Sequence, residues 1–258
     1  MAHEFDGKKY EKASTHQKEW GEKLAGELAL HGTERILDLG CGDGTLTAHL
    51  SELVPKGEVV GVDASCGMIE VAQHKQRENL RFILMDINNL GFVEEFDVVF
   101  SNATLHWVSD HRRLLSNVHR ALRPEGIVRF NFAGDGNCSN FVRVIREAMK
   151  VSAFLMDFEN FVWPWYMPSV DEYSAIVKDF GFSSAKVWGE NADRFFADVE
   201  ALVKWIDQPS LVPFIACVAE RNKASFREFV VRRMIEETKQ EDGRCFETFR
   251  RINLFAGK

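Results

Sequence analysis

Arg35-Ile36-Leu37-Asp38-Leu39-Gly40-Cys41-Gly42-Asp43-Gly44 is an apolar run carrying one acid that breaks into three glycines at alternate positions; beyond it Leu46, Leu50 and Leu53 recur at helical spacing. The pattern predicts strand, tight loop and helix. Glycine lets the main chain take left-handed conformations and lets a bulky ligand approach it. The helix that follows presents N–H groups that have no partner within the helix. A dinucleotide fold prefers its third glycine at position 45, where it packs helix on strand beneath a pyrophosphate. Position 45 is Thr45, so the spacing disfavours that ligand.

Outward from this loop the alternation repeats. EVVGVD (58–63) reads as a second strand ending in an acid, and SCGMIEVAQHKQ as a helix capped by Ser65. LRFILMD (80–86) is a third strand, also ending in an acid, and FDVVF (96–100) a fourth. After the helical HRRLLSNVHRAL (111–122), a turn at Arg123-Pro124-Glu125-Gly126 leads to a fifth strand, GIVRFNF. Short apolar strands alternating with helices imply a parallel sheet covered on both faces. In such sheets ligands bind beyond the carboxyl ends of the strands, so chemistry is expected in the loops after Leu39, Val62, Met85 and Phe100.

The C-terminal half is less regular. Residues 138–154 suggest a helix, WPWYMPS (163–169) a loop, VDEYSAIVKDFGF (170–182) a helix ended by Gly181, and SAKVW (184–188) a strand. A mostly helical stretch is expected from Asp193 to Glu241, and FRRINLFAGK (249–258) closes as a strand. The expected organisation is a single domain over 1–258. Residues 1–30 precede an alternating core over 31–135, and 136–258 hold cap insertions plus closing strands.

Composition narrows the classes. At 258 residues, 45% hydrophobic and 28% charged, the chain is of ordinary globular make-up. A net charge of -7 provides no basic field to supply the counterion release that drives nucleic-acid binding. Arg232-Arg233 and Arg250-Arg251 stand among acids and read as solvated mixed-charge faces. Five scattered cysteines without a CxxC pair read as reduced thiols rather than metal ligands. The start MAHEFDGKKY has no apolar signal core, and no run reaches the about 20 apolar residues of a membrane span. A cytoplasmic protein with no nucleic-acid, membrane or metal partner is the expectation.

Three acids fall at the ends of successive strands. Asp38 can attract a cationic amino group, a role with no use for a pyrophosphate. Asp63 stands where a carboxylate accepts both ribose hydroxyls. Asp86-Ile87 can bond an adenine amine and pack its ring. Singly each acid reads equally well as a helix cap; together they favour a sulfonium amino acid joined to adenosine.

DLGCGDG, GVDAS with Met68, MDI and SNATLHWVSD resemble the class I S-adenosylmethionine-dependent methyltransferases over about residues 35–133. The segment Asn102-Ala103-Thr104-Leu105-His106-Trp107 and PWYMPSVDEY are similar to trans-aconitate methyltransferases and their relatives. The resemblance implies an α/β, Rossmann-like, doubly wound seven-stranded sheet, its last strand antiparallel, with a helical C-terminal cap. It also implies S-adenosylmethionine as methyl donor and S-adenosylhomocysteine as product. Carried over, it places the methionine part near Asp38, Gly40, Cys41 and Gly42, the ribose on Asp63, the adenine against Ala64, Met68, Asp86 and Ile87, and Asn102 facing the sulfonium. Tyr10 and Gln17, in YEKASTHQ, match the segment that closes the site.

The acceptor side is read from the residues themselves. His106 stands where an imidazole can act as general base, although it and Trp107 read equally as packing under the cap. A carboxylate acceptor needs no base. Trp163, Trp165 and Tyr166 offer aromatic surface for a small-molecule acceptor, or ordinary core packing. Arg129, the odd charge inside the fifth strand, is a candidate anchor for an organic acid. The expected activity is O-methylation of a metabolite such as an organic acid. N- or C-methylation, a non-catalytic S-adenosylmethionine-binding module and a nicotinamide oxidoreductase are the alternatives. SNATLHW also lacks the Pro-Pro-aromatic segment typical of base-amine methylation.

Overall fold

The computed structural model describes residues 15–258, with side chains given from Trp20 onward except at Pro209. Tyr10 and the side chain of Gln17 lie outside the described residues. Helix α1 (Thr15–Gly26) precedes β1 (Arg35–Leu39), α2 (Thr45–Leu53), β2 (Glu58–Asp63), α3 (Cys66–Gln73), β3 (Leu80–Leu84), β4 (Phe96–Asn102), α4 (His111–Ala121) and β5 (Leu122–Ala133). There follow α5 (Ser139–Ala148), α6 (Val170–Lys178), β6 (Ser184–Asn191), β7 (Arg194–Phe196), α7 (Val199–Trp205), α8 (Val212–Ile215), α9 (Glu220–Thr238), β8 (Cys245–Glu247) and β9 (Arg250–Gly257).

By contacts the chain divides into two compact units. One holds the residues up to Asp135 with Trp165–Glu190 and Arg251–Lys258; the other holds Gly136–Pro164 and Asn191–Arg250. The first carries a seven-stranded sheet in the order β3-β2-β1-β4-β5-β9-β6. Strands β1 to β5 run parallel and β9 lies antiparallel on β5, so the expected Rossmann-like sheet with an antiparallel closing strand is what the chain forms.

The central strands are largely apolar because helices cover both faces. On one face Ile36, Val59, Val98 and Phe100 pack with Leu24 and Leu28, with Leu50 of α2 and with Ile69 of α3. On the other, Leu37, Val60, Val99, Phe130 and Leu254 pack with Leu114 and Val118 of α4 and Tyr173 and Val177 of α6. The helices start where their caps dictate. Ser65 accepts from the Met68 amide, Asp110 from that of Arg113, and Ser169 and Glu172 form a reciprocal capping box. Gly181, at φ +70°, turns the chain after α6.

Several expectations change. The turn at Arg123–Gly126 lies within β5: Leu122 pairs with Phe96 and Ile127 with Val98, so residues 123–126 bulge out of a continuous strand, with Glu125 at φ 66°. The helix read over 138–154 stops at Ala148, because Phe154 and Phe158 turn back to pack on Phe226, with ring centroids 5.2 and 5.4 Å away. The stretch 193–241 begins with β7, paired antiparallel with β8; three residues are too few to show a period. Its helix then breaks at Gln208, the non-helical residue before Pro209.

In the second unit the Glu247 carboxylate is fully buried at the start of α5, accepting from the amides of Asn140, Phe141 and Thr248. The five cysteines are free thiols. No described helix is long and apolar enough to cross a membrane.

Candidate functional site

The strand order reverses between β1 and β4, and the glycine loop lies at that point. The amides of Gly40 and Cys41 both donate to the Val62 carbonyl, at 2.8 and 3.0 Å. Gly40 is at φ +73°, and a Cβ there falls 2.0 Å from Thr104 Cγ2. Ser101 Oγ donates to the Leu39 carbonyl at 2.7 Å and Thr104 Oγ1 to that of Gly40 at 3.0 Å, so the loops after β1 and β4 are sewn together. Gly42 is at φ +54°, and among the described residues a Cβ there meets nothing within 4 Å. Gly44 serves the packing that a dinucleotide site assigns to position 45: a Cβ on it falls 2.7 Å from Phe82 and 2.9 Å from Ala72.

Asp63 links this loop to the next. Its carboxylate accepts from the Gly42 amide at 3.0 Å and the Ser65 amide at 2.9 Å. A carboxylate offers about four acceptor positions, enough for two amides and two ligand hydroxyls. Asp38 is 2% exposed and accepts from Thr47 Oγ1 at 2.8 Å. Burial pushes its carboxyl up to about 7, against the lowering effect of the Thr47 bond and with a smaller push from the Asp63 charge. Cys41 is packed over Gly61, and burial, with the charges of Asp63 and Asp38, raises its thiol well above the usual range, which keeps it unreactive. Met68 and Ile87 are buried apolar groups after β2 and β3, and Ala64 is half-buried. Asp86 is exposed, lies past the end of β3 and accepts from the Asn88 amide at 2.8 Å.

The loop after β4 carries the candidate acceptor residues. Ala103 takes φ +57° and donates its amide to the Asn131 carbonyl at 2.7 Å. The His106 carbonyl accepts from the Tyr166 amide at 2.8 Å, and the Trp107 and Trp165 rings meet edge to face at 5.7 Å. His106, Trp107, Trp165 and Tyr166 are thus brought together. His111 holds this loop from below: Nε2 is 3.0 Å from the Leu105 carbonyl, so it carries the proton, and Nδ1 is 3.3 Å from the Tyr173 hydroxyl. His106 Nδ1 is buried and has no hydrogen-bond partner among the described residues. Burial, with the charge of Arg251 and the neighbouring His111, drives the His106 imidazole down to about 3. It is therefore neutral and a poor proton acceptor, which weighs against the general-base role and leaves it a hydrogen-bonding group.

Arg129 is 2% exposed and engaged within the chain: Nη2 lies 2.7 Å from Glu27 Oε2 and 3.0 Å from Asn253 Oδ1, and the guanidinium lies 4.9 Å from the Trp188 ring centroid. This charge, matched by Glu27, braces the sheet rather than standing ready for an acceptor. Trp163 belongs to the second unit, where it packs on Phe214 and under Arg146.

The structure adds residues the sequence reading missed. Asn102 pairs in register with Asn131, and Asn131 with Asn253, forming a row of asparagines across β4, β5 and β9. Asn131 Nδ2 donates to Asn253 Oδ1 at 2.9 Å, while Asn131 Oδ1 accepts from Arg251 Nε and Nη2 at 2.8 and 2.6 Å. The usable signal was polar residues at every second position of RFNF and RINL, in strands expected to be covered on both faces. Helix α1 approaches this region: a Cβ on Gly21 falls 3.0 Å from Asn102 Nδ2, and Trp20 lies 4.9 Å from the Arg251 guanidinium.

Residues 37–130 match the family model of a methyltransferase domain. The chain is 28% identical to trans-aconitate 2-methyltransferase of Deinococcus radiodurans over 74% of its own length and 75% of the relative's. It is 36% identical to malonyl-[acyl-carrier protein] O-methyltransferase of Bacillus cereus over 48% of each chain. The YcgJ protein of Bacillus subtilis, a solved structure, shares the fold with a TM-score of 0.62 at 19% identity, over 94% of this chain and 98% of that one.

Proposed function

Because the chain belongs to the class I S-adenosylmethionine-dependent methyltransferases, we propose that it methylates a carboxylate oxygen of a small organic acid. When bound, S-adenosylmethionine supplies a sulfonium-held methyl group and takes back the methyl–sulfur electron pair, so that an attacking carboxylate becomes an ester with no proton to remove. The residues present fit that group. Gly42 presents bare backbone, Asp63 receives the ribose hydroxyls, and Asp38 receives the amino group. Ala64, Met68 and Ile87 receive the adenine, whose amine meets Asp86, while Asn102 faces the sulfonium.

The observation that carries the choice of acceptor is His106. A phenol, an ammonium or a carbon acid must lose a proton to become nucleophilic, and a buried imidazole held down at about 3 does not take it. A carboxylate is already nucleophilic at neutral pH. Two relatives support the reading by name, one acting on trans-aconitate and the other at oxygen on a malonyl group. The test is release of S-adenosylhomocysteine across a panel of mono-, di- and tricarboxylates, amines and phenols. Ester formation from an acid is expected. Turnover confined to amines or phenols would reject the reading, and tight cofactor binding without any turnover would favour a non-catalytic module.

Asp38 makes cofactor binding pH-dependent in a definite direction. Its carboxyl, raised to about 7 by burial, is largely protonated at pH 6, and only the ionised form attracts a cationic amino group. Affinity for S-adenosylmethionine should therefore rise from pH 6 to pH 8, with a proton released on binding below neutrality. Without cofactor the sign is opposite. The folded value lies above the about 3.9 of an unfolded aspartate, so the contribution to stability is full below that value and lost as pH rises through 7. Calorimetry in buffers of different ionisation heat measures the released proton, and Asp38→Asn should abolish it; equal release by that variant would assign the proton to another group.

A further inference from the structure

The loop after β4 is fastened at four consecutive residues. The Ala103 amide is held by the Asn131 carbonyl, Thr104 Oγ1 by the Gly40 carbonyl, and the His106 carbonyl by the Tyr166 amide. The fourth fastening is a side chain of α4: the Leu105 carbonyl accepts from His111 Nε2 at 3.0 Å, as well as from the Val108 amide at 2.9 Å. The ties at Thr104 and His106 join loop to loop. His111 instead joins the loop to a helix whose Leu114, Leu115 and Val118 are seated in the core.

His111 is 3% exposed, and burial drives its imidazole down to about 4, against the raising effect of its bonds to the Leu105 and Val108 main chain and of the Asp110 charge. It is therefore neutral, with one ring proton. A carbonyl only accepts, so that proton sits on Nε2, and Nδ1 accepts from the Tyr173 hydroxyl 3.3 Å away. The two nitrogens have unlike partners, and turning the ring over would set carbon against both. Tyr173 is itself fully buried in α6, its ring edge-on to Phe132 and His111 at 5.0 and 5.3 Å. The Tyr166 ring lies 4.7 Å from the imidazole, so His111 meets both segments on the acceptor side, the loop after β4 and residues 165–166.

We propose that His111, oriented by Tyr173, is a positioning residue for methyl transfer: it fixes the loop that presents His106 and Trp107 to the acceptor, and so sets the alignment of acceptor and methyl group. This rests on the reading of that loop as the acceptor's side and holds for any class of acceptor. Displacement at a methyl carbon needs nucleophile, carbon and sulfur in line, and a misplacement of about 1 Å costs about 100-fold in rate. The cofactor loop is fixed separately, by two amides on the Val62 carbonyl and by the Asp63 carboxylate, so donor binding is left intact.

His111→Phe keeps a ring and removes both bonds. On whichever acceptor of the panel is turned over, its kcat should fall about 100-fold, with S-adenosylhomocysteine affinity within a few-fold of wild type. His111→Gln, whose amide nitrogen can donate to Leu105, should recover about tenfold of that loss, the worth of one hydrogen bond. Tyr173→Phe should lower kcat by less, and should add nothing to His111→Phe, because the hydroxyl acts through the imidazole. Val118→Ala, in the core on the same helix, should melt lower yet keep the wild-type kcat. A readout independent of turnover is hydrogen exchange: the Trp107, Val108 and Tyr166 amides, bonded to or within this loop, should exchange faster in His111→Phe while the second half of α4 stays protected. If His111→Phe does not fold, His111→Gln and Tyr173→Phe carry the same comparison. Wild-type kcat or unchanged loop exchange in a folded His111→Phe, additive losses in the double variant, or an equal loss in Val118→Ala would overturn the role while leaving methyl transfer standing. A wild type that turns over no acceptor would overturn both.

Discussion

Asp63→Ala is expected to weaken S-adenosylmethionine binding by about 100-fold, measured by calorimetry on protein whose melting shows it folded. Two losses combine. The ribose hydroxyls lose a charged acceptor, an effect of about 1.5 to 3 kcal/mol for such bonds. In addition the Gly42 and Ser65 amides, both held by this carboxylate, lose the partner that ties the glycine loop to the start of α3. Asp63→Asn is intermediate: the two amides reach different carboxylate oxygens, so its single carbonyl oxygen keeps one of them while its NH2 group faces the other, and binding and melting temperature should both fall, by less than in Asp63→Ala. Wild-type affinity in a folded Asp63→Ala would remove the ribose assignment.

Gly40→Ala should cost at least about 3 kcal/mol of stability and abolish methyl transfer, since left-handed backbone strain and core overpacking each contribute about 1 to 3 kcal/mol. The added Cβ falls on the Thr104 side chain, 2.0 Å from Cγ2 and 2.5 Å from Cβ, at a residue whose hydroxyl ties the two loops together. The clash cannot be relieved by a rotamer change, because Thr104 Cβ is itself too close. Adding Thr104→Gly removes the clash but not the strain, so the double variant should melt above Gly40→Ala and below wild type. Equal melting of Gly40→Ala and wild type would show that the loop shifts freely, contrary to a backbone fixed by two amides on Val62.

What the sequence displayed was local. The glycines, Asp38, Asp63 and Asp86 stand within a few residues of the strands that position them, and apolar runs with helical spacing were enough to order the parallel sheet. What it concealed depends on distant partners. Arg129 and Arg251 look alike as charges in strands; the first is matched by Glu27, 102 residues away, and the second is braced by Asn131, 120 residues away. His106 stands where a base is wanted, but its basicity is decided by burial and by a guanidinium from β9. Strand β7 had to wait for β8, since three residues acquire their conformation from a partner and not from a period.

The distance in sequence between β5 and β9 also governs how the molecule is made. Arg251 emerges from the ribosome 120 residues after the asparagine that braces it. Until then the far side of β5 is an open edge, with Phe130 and Phe132 available to pair with any extended chain nearby. Until then the Asn131 amide also lacks the Asn253 and Arg251 side chains that satisfy it in the finished sheet. The hydrogen-bonding edge of β5 is thus complete only once β9 has been made.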